Sequence, residues 1–458
     1  MAEKTIYSLK TKNGDPVRVE EAHKDANGEL LSNKATKVST TKANTIFVND
    51  GTGNLKDSGV LIDAIPVRVC GGIKFSRAND AGTLIGDYAG LNSTTIMNKW
   101  PFSALYIHSE WAREANGDVI STAENKSKFL VMPNAWFKMT ANSTYGDFTY
   151  MIANYQVDKD YHRFYPGEFS ELCISVYFAS LSYGYLMSLK DELPVTGMNQ
   201  KDVLTKTPYF SSGKGDGSVR KAEYLDYRVW ACYRVLATIW ATNRNIQLVQ
   251  GYSGVTNYTG NKWTLDDITD EASRYTGVTE SSSSIGCLGP GVVSGEIYGT
   301  ETTAALDWGK RPFKVLGVEN PYGFLHQPIY GIYHNYADGD ADRGIFAIST
   351  ESEATIDIAQ PGSDYYTIRK KGYLLPNGWQ TGFDQMYCFM FPSSSAGGSD
   401  TTYVGDYCWN DFSGNWNILA AGGGFARGTA AGLFAIDANR KFDYASPDNG
   451  VRLTYERY

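Results

Sequence analysis

The sequence predicts an α+β fold behind a short β-rich N-terminal segment, and three observations carry that expectation. Residues 129–155 hold three short apolar runs of strand character. Residues 224–242 carry one long helical periodicity. The last 38 residues, from Ala421, order small residues, an apolar strand, a polar loop and a final alternation.

Residues 1–65 differ in composition from the rest of the chain. They are polar, mixed in charge and rich in turn signals such as Asp25-Ala26-Asn27-Gly28 and Asp50-Gly51-Thr52-Gly53-Asn54-Leu55-Lys56-Asp57-Ser58-Gly59. Short β-prone pieces lie between them, Thr45-Ile46-Phe47-Val48 and Val60-Leu61-Ile62, and Gly-rich turns between such runs read as hairpins. So little apolar content cannot build an independent core, so this segment is expected to be ordered by copies of itself or by a docking partner.

From residue 66 to 458 the composition is that of a globular domain. Strands are expected at Phe129–Met132, Ala135–Met139 and Phe148–Ile152. Across Tyr224–Thr242, Leu225, Val229, Cys232, Leu236 and Ile239 recur at spacings of three and four, which predicts an amphipathic helix with one apolar stripe. In the tail, Gly422 to Gly424 and Gly428 suit close backbone approach or a positive φ. Val451, Leu453 and Tyr455 read as a half-buried strand. No period of 20–50 residues repeats, which disfavours a solenoid or β-helix.

Composition narrows the function classes. Of 458 residues, 42% are hydrophobic and 14% aromatic, with 32 Tyr and 10 Trp. Aromatics fill cores, and they are also favoured where one face must be apolar and the other must hydrogen-bond. A net charge of −8 argues against a nucleic-acid binder. No run of 18 apolar residues suggests a membrane span, and Met1–Thr5 lacks the apolar segment of a signal peptide. The six cysteines, Cys70, Cys173, Cys232, Cys287, Cys388 and Cys408, include no C-x-x-C pair. They read as reduced thiols of a protein made in the cytoplasm.

Motifs for chemistry are weak. His23, His108, His162, His326 and His334 lack zinc-hydrolase spacing, and Gly251-Tyr252-Ser253-Gly254-Val255 lacks the last glycine of a nucleophile elbow. Gly213-Lys214-Gly215-Asp216-Gly217 reads as a turn. The alternate carboxylates Asp338, Asp340 and Asp342 would suit a hard cation. Without a glycine at loop position six and an acidic twelfth residue, where Ser349 stands, they read as a solvated loop. No metal or cofactor is expected.

Several landmarks together resemble the C-type-lectin-like fold of formylglycine-generating-enzyme relatives and phage tail-fibre tips. They are Leu130–Lys138, Ile152–Asp158, Tyr177–Ser180, the helix with its Trp240–Gln247 end, Val315–Phe324 and the Gly-rich tail, spanning about residues 65–458. The family's Gly-Asn-x-Trp-x-Trp continuation stands here as Gly323-Phe324-Leu325-His326-Gln327-Pro328, and its Gly-Gly-Ser-Trp element as Gly422-Gly423-Gly424-Phe425. The enzymes need paired reactive cysteines near the C-terminal element, and no cysteine follows Gly422, so the resemblance implies recognition rather than catalysis.

Two segments are candidates for ligand contact. Tyr403, Tyr407, Trp409, Asn410 and Trp416 lie among glycines and acidic residues. Aromatic faces stack on sugar rings, and Asp or Asn side chains take bidentate hydrogen bonds from hydroxyls. Trp409 and Trp416 could equally anchor this loop, whereas Tyr403, Tyr407 and Asn410 are expected to face solvent. Residues 437–444 lie where lectin-like phage tips and the variable proteins of diversity-generating retroelements display ligand contacts. Phe442 and Tyr444 would share a face if extended, and Arg440 and Tyr444 are expected to be exposed.

The resemblance thus implies a non-enzymatic bacteriophage virion fibre protein, assembled in the host cytoplasm as a homotrimer. Residues 1–65 would dock to other virion proteins, and residues 66–458 would bind a host-surface glycan or protein. A structural head-fibre or decoration protein, or a polysaccharide depolymerase, are the alternatives.

Overall fold

The computed structural model describes residues 8–10, 16–18, 45–49, 55–61, 68–76, 81–120, 125–142, 147–247, 264–268, 274–277, 312–335, 345–349, 366–370, 375–386, 388–400, 404–410, 416–441 and 444–458. The chain separates into two compact units, Met1–Arg68 and Val69–Tyr458. In the first, Ser8–Lys10 pairs antiparallel with Pro16–Arg18, and Thr45–Asn49 with Leu55–Leu61. The first strand of the second pair falls on the β-prone Thr45–Val48, while its partner meets the expected Val60–Ile62 piece only at Val60 and Leu61 and starts within the stretch read as a turn.

The larger unit corrects the expected α+β class. Strand accounts for 43% and helix for 15% of the described residues, so the fold is all-β. One five-stranded antiparallel sheet runs in the order His162–Arg163, Trp136–Asn142, Asp147–Ala153, Cys70–Phe75, Thr83–Gly86. A second runs Glu223–Tyr224, Leu453–Arg457, Glu171–Ser175, Ser127–Pro133, Tyr106–Glu110. A seven-stranded sheet runs Tyr366–Lys370, Ile345–Ser349, Gln327–Asn335, Trp416–Gly422, Gly432–Lys441, Tyr407–Asn410, Gly378–Trp379. Its one parallel pairing joins Tyr407–Asn410 to Gly432–Lys441.

The three expected strands of residues 129–155 are present. The expected helix is also present, as Tyr227–Ala241, but it is not amphipathic. All fifteen of its residues are buried, and it packs on the strands Glu171–Ser175, Gln327–Asn335 and Phe389–Ser394. A helix buried all round is a core element rather than a separate helical layer, which is why one long helix leaves the class unchanged. Asp226 caps it, its carboxylate accepting the Arg228 and Val229 N–H groups at 2.7 and 3.3 Å. Thr242, at φ 51°, ends it in the left-handed region. Arg228 is tolerated inside because its Nη2 donates to Asp226 at 2.6 Å and to the Tyr165 hydroxyl at 3.1 Å. Among the described residues no helix is long and apolar enough to cross a membrane.

The tail does what its glycines suggest. Gly422 has φ 84°, and a Cβ there would lie 2.8 Å from Gln327 Nε2 and 3.1 Å from the Pro321 carbonyl. Two backbone segments therefore meet where only glycine fits. The last strand is buried on both faces, however. Arg452, Thr454 and Glu456 are as enclosed as Val451, Leu453 and Tyr455, because the apolar set packs in a cluster with Phe129 and Phe210 while Gln327, Asp226 and Arg220 engage the polar set. Glu456 is paired at 2.7 Å by Arg220 of the neighbouring two-stranded sheet, on the strand Val219–Lys221.

Candidate ligand-binding cleft

The strand Tyr407–Asn410 alternates half-buried and buried residues. Tyr407 and Trp409 thus share the partly open face, with ring centroids 4.9 Å apart. Trp379 meets Tyr407 edge-on at 5.4 Å, and the Arg427 guanidinium covers Trp409 at 4.8 Å. Asn410 points the other way. It is buried, and its Nδ2 donates to the Leu375 carbonyl at 2.9 Å. The expectation that Asn410 faces solvent is therefore corrected: strand alternation turns it inward, where its amide pins a neighbouring segment.

Residues 437–441, expected as part of a loop, end the strand Gly432–Lys441. Arg440 is 4% exposed rather than a surface contact. It donates from Nε to Asp437 at 2.8 Å and forms a two-pronged pair with Asp448, both prongs at 3.0 Å. The correction has a physical reason. Two carboxylates in one enclosed place require a cation between them, and a guanidinium satisfies both at once. Ser446 also donates to Asp448. The arginine and serine contacts hold the Asp448 carboxyl below its ordinary range against the opposing effect of burial.

His326 lies beneath this network, fully enclosed. Its Nδ1 is 3.7 Å from Asp437 and its Nε2 is 3.9 Å from Asp448. Its backbone holds the 446–450 turn in place, the His326 N–H donating to the Asp448 carbonyl and the Gly450 N–H to the His326 carbonyl, each at 2.9 Å. Burial lowers the imidazole pKa from its ordinary 6.5 to about 4. An unfolded chain therefore takes up a proton at His326 that the folded one refuses between those values. The contribution is complete above pH 6.5 and is lost as pH falls towards 4, on the order of 3 kcal/mol in full.

Asp406 slopes the other way. Burial pushes it up to about 7 although it accepts the Phe434 N–H at 2.6 Å and Gln247 Nε2 at 2.8 Å. Its effect reduces stability as pH rises from about 4 to 7. His326→Gln should therefore be compared with the unaltered protein by urea denaturation from pH 7 to 5. The unaltered chain is expected to lose more stability on acidification than the variant; parallel curves would show that His326 is not the titrating group.

Above these residues opens a cleft of about 470 Å³, bounded by Thr264, Arg427, Asn439, Tyr444, Ser446 and Asp448, with Arg440 in its floor. Tyr444 is 42% exposed, and its ring is backed by the Arg440 guanidinium at 4.8 Å. The expected exposure of Tyr444 is thus met, and Arg440 supports the aromatic rather than meeting a ligand directly. Trp416 opens the strand Trp416–Gly422 opposite Asn335. Tyr403, Phe442 and the acidic triplet Asp338, Asp340 and Asp342 lie outside the described residues.

Sequence reasoning missed His326, Asp437 and Asp448. The available signal was opposite charge at Asp437 and Arg440, three residues apart, but their distance in sequence from His326 and Asp448 hid the cluster. Compared with known proteins, the chain matches no family model, and no curated protein is significantly similar to it.

Proposed function

We propose that this chain is a bacteriophage virion fibre protein that binds a host-surface glycan through the Tyr444–Asp448 cleft. The observation carrying this reading is the pairing, in one open cleft, of an exposed Tyr444 ring with the exposed Asn439 side chain, over a floor fixed by the Arg440–Asp448 pair. Tyr444 offers a flat apolar face for a sugar ring, and the exposed Asn439 offers hydrogen-bonding groups for its hydroxyls, while the buried Asp448 and Ser446 fix the floor. The floor is preorganised, because Arg440 holds Asp448 and Tyr444 before any ligand arrives. Asp448, kept charged by Arg440 and engaged by Ser446, braces the floor and is not placed to deliver protons.

In this reading residues 1–65 dock the protein to other virion components as a homotrimer. Repeated copies then raise the avidity of a weak single site through effective concentration. The test measures binding of purified protein to a panel of bacterial surface polysaccharides, with Tyr444→Ala and Trp409→Ala as variants. Tyr444→Ala is expected to weaken binding at least about tenfold while lowering stability by only about 0.5–1 kcal/mol, since the lost contact is one exposed cation–π pair. Undiminished binding by both variants would remove the cleft from the reading. No binding by the unaltered protein would favour a structural decoration protein, and release of reducing ends would favour a depolymerase.

A further inference from the structure

Gly378–Trp379, Tyr407–Asn410 and Gly432–Lys441 are neighbouring strands at one edge of the seven-stranded sheet. Trp379 stands opposite Tyr407, and Trp409 stands opposite Asp437. Paired residues project from the same face of a sheet, as do residues two apart on one strand. Trp379, Tyr407, Trp409 and Asp437 therefore share one face. The three aromatics are all half-buried, each keeping part of its surface in solvent, whereas Cys408 and Asn410 on the opposite face are enclosed. Their rings form an unbroken path, Trp379 to Tyr407 at 5.4 Å and Tyr407 to Trp409 at 4.9 Å. The half-buried Arg427 continues it. Its guanidinium lies 4.8 Å from the Trp409 ring, and the same side chain lines the cleft that holds Tyr444. The cleft is thus one end of a longer aromatic surface.

We propose that this path is a set of further subsites, and that the protein binds a polysaccharide along its chain rather than a terminal sugar. One ring lies on Tyr444, and successive rings pass Arg427 and Trp409 to reach Tyr407 and Trp379. A glycan chain repeats an apolar ring face at short intervals, each bordered by hydroxyls. Half-exposed Tyr and Trp side chains repeat the complement, an apolar face beside a polar tip. Rings already held by the sheet lose little conformational freedom when a ligand arrives, which suits many modest contacts along one chain. A terminal sugar on Tyr444 would leave the path unused. This inference rests on the glycan reading of the cleft and adds the class of glycan and the length of chain engaged.

The test is calorimetric titration of the full chain with the panel's bacterial surface polysaccharides, each cut to fragments of one, two and three repeat units. For the unaltered protein, affinity is expected to rise about tenfold or more from the shortest fragment to the longest. Trp379→Ala, at the far end of the path from Tyr444, is expected to remove about fivefold or more of that gain and to leave the shortest fragment within about twofold. Binding of the shortest fragment also shows that the variant has folded. Trp379→Leu keeps an apolar side chain for packing but no flat face, and should lose the gain in the same way. A loss confined to Trp379→Ala therefore overturns the assignment. So does a gain with length that survives both variants, because bridging between copies or another surface then supplies it. Equal affinity for all lengths overturns the extended site and leaves the cleft reading standing. Binding of no fragment by the unaltered protein overturns both.

Discussion

Replacing Arg452 with methionine is expected to destabilise the large unit by roughly 2–4 kcal/mol, because several buried neutral acceptors lose their donor at once. Arg452 is 1% exposed and joins segments far apart in the chain. Its Nε donates to Gln327 Oε1 at 2.7 Å. Nη1 donates to the Ser175 and Val176 carbonyls at 2.8 and 3.2 Å, and Nη2 to the Glu319 and Asn320 carbonyls at 2.8 and 3.2 Å. The guanidinium also lies 4.4 Å from the Phe178 ring. Methionine fills much of the volume but leaves these acceptors buried without donors. Lysine should recover only part of the loss, because a single ammonium cannot span acceptors arranged for a planar fork. Urea denaturation at pH 7 measures both variants; a loss under about 1 kcal/mol for Arg452→Met would show that this network contributes little.

Arg440→Met carries the second large effect, and it has a distinctive pH signature. The substitution strips Asp437 and Asp448 of the cation between them and leaves two enclosed carboxylates close to His326. A loss of about 3–5 kcal/mol is expected at pH 7. Without Arg440 the carboxylates should take up protons more readily in the folded state, so the deficit against the unaltered protein should shrink as pH falls towards 4. Ligand binding should fall as well, since Arg440 backs Tyr444 and holds Asp448. A deficit that stays constant from pH 7 to pH 4 would contradict the ion-pair account and point to lost packing of the arginine stem.

Parts of this molecule were legible in local sequence. The strands around residues 129–155 follow from short apolar runs, and the helix from its periodicity, although it starts at Tyr227 behind the Asp226 cap rather than at Tyr224. Exposure of Tyr444 is what the lectin-like resemblance implies for residues 437–444, and the same implication fails for Arg440. The errors share a cause. Arg440, Asn410, Arg452 and Glu456 are polar residues that local reasoning places outside; Asn410, Arg452 and Glu456 are engaged by partners from distant segments, and Arg440 by Asp437 and Asp448, which a strand end and the following turn bring together. Leu375 is 35 residues from Asn410, and Gln327 is 125 from Arg452. The fold class went wrong similarly, since periodicity detects a helix without telling whether sheets enclose it.

What the sequence alone determined is the division between a polar N-terminal segment and an apolar-rich remainder, the position of the long helix, and the glycines where backbones meet. These depend on composition and on periods of two to four residues, which short-range sterics and hydrogen bonding impose. The tertiary structure decided which charged groups became internal, and that Asp448 would hold the Arg440 guanidinium that backs one exposed tyrosine. Those outcomes depend on whether a low-dielectric interior places a complementary group within about 3 Å, and only the folded chain brings residues so far apart that close.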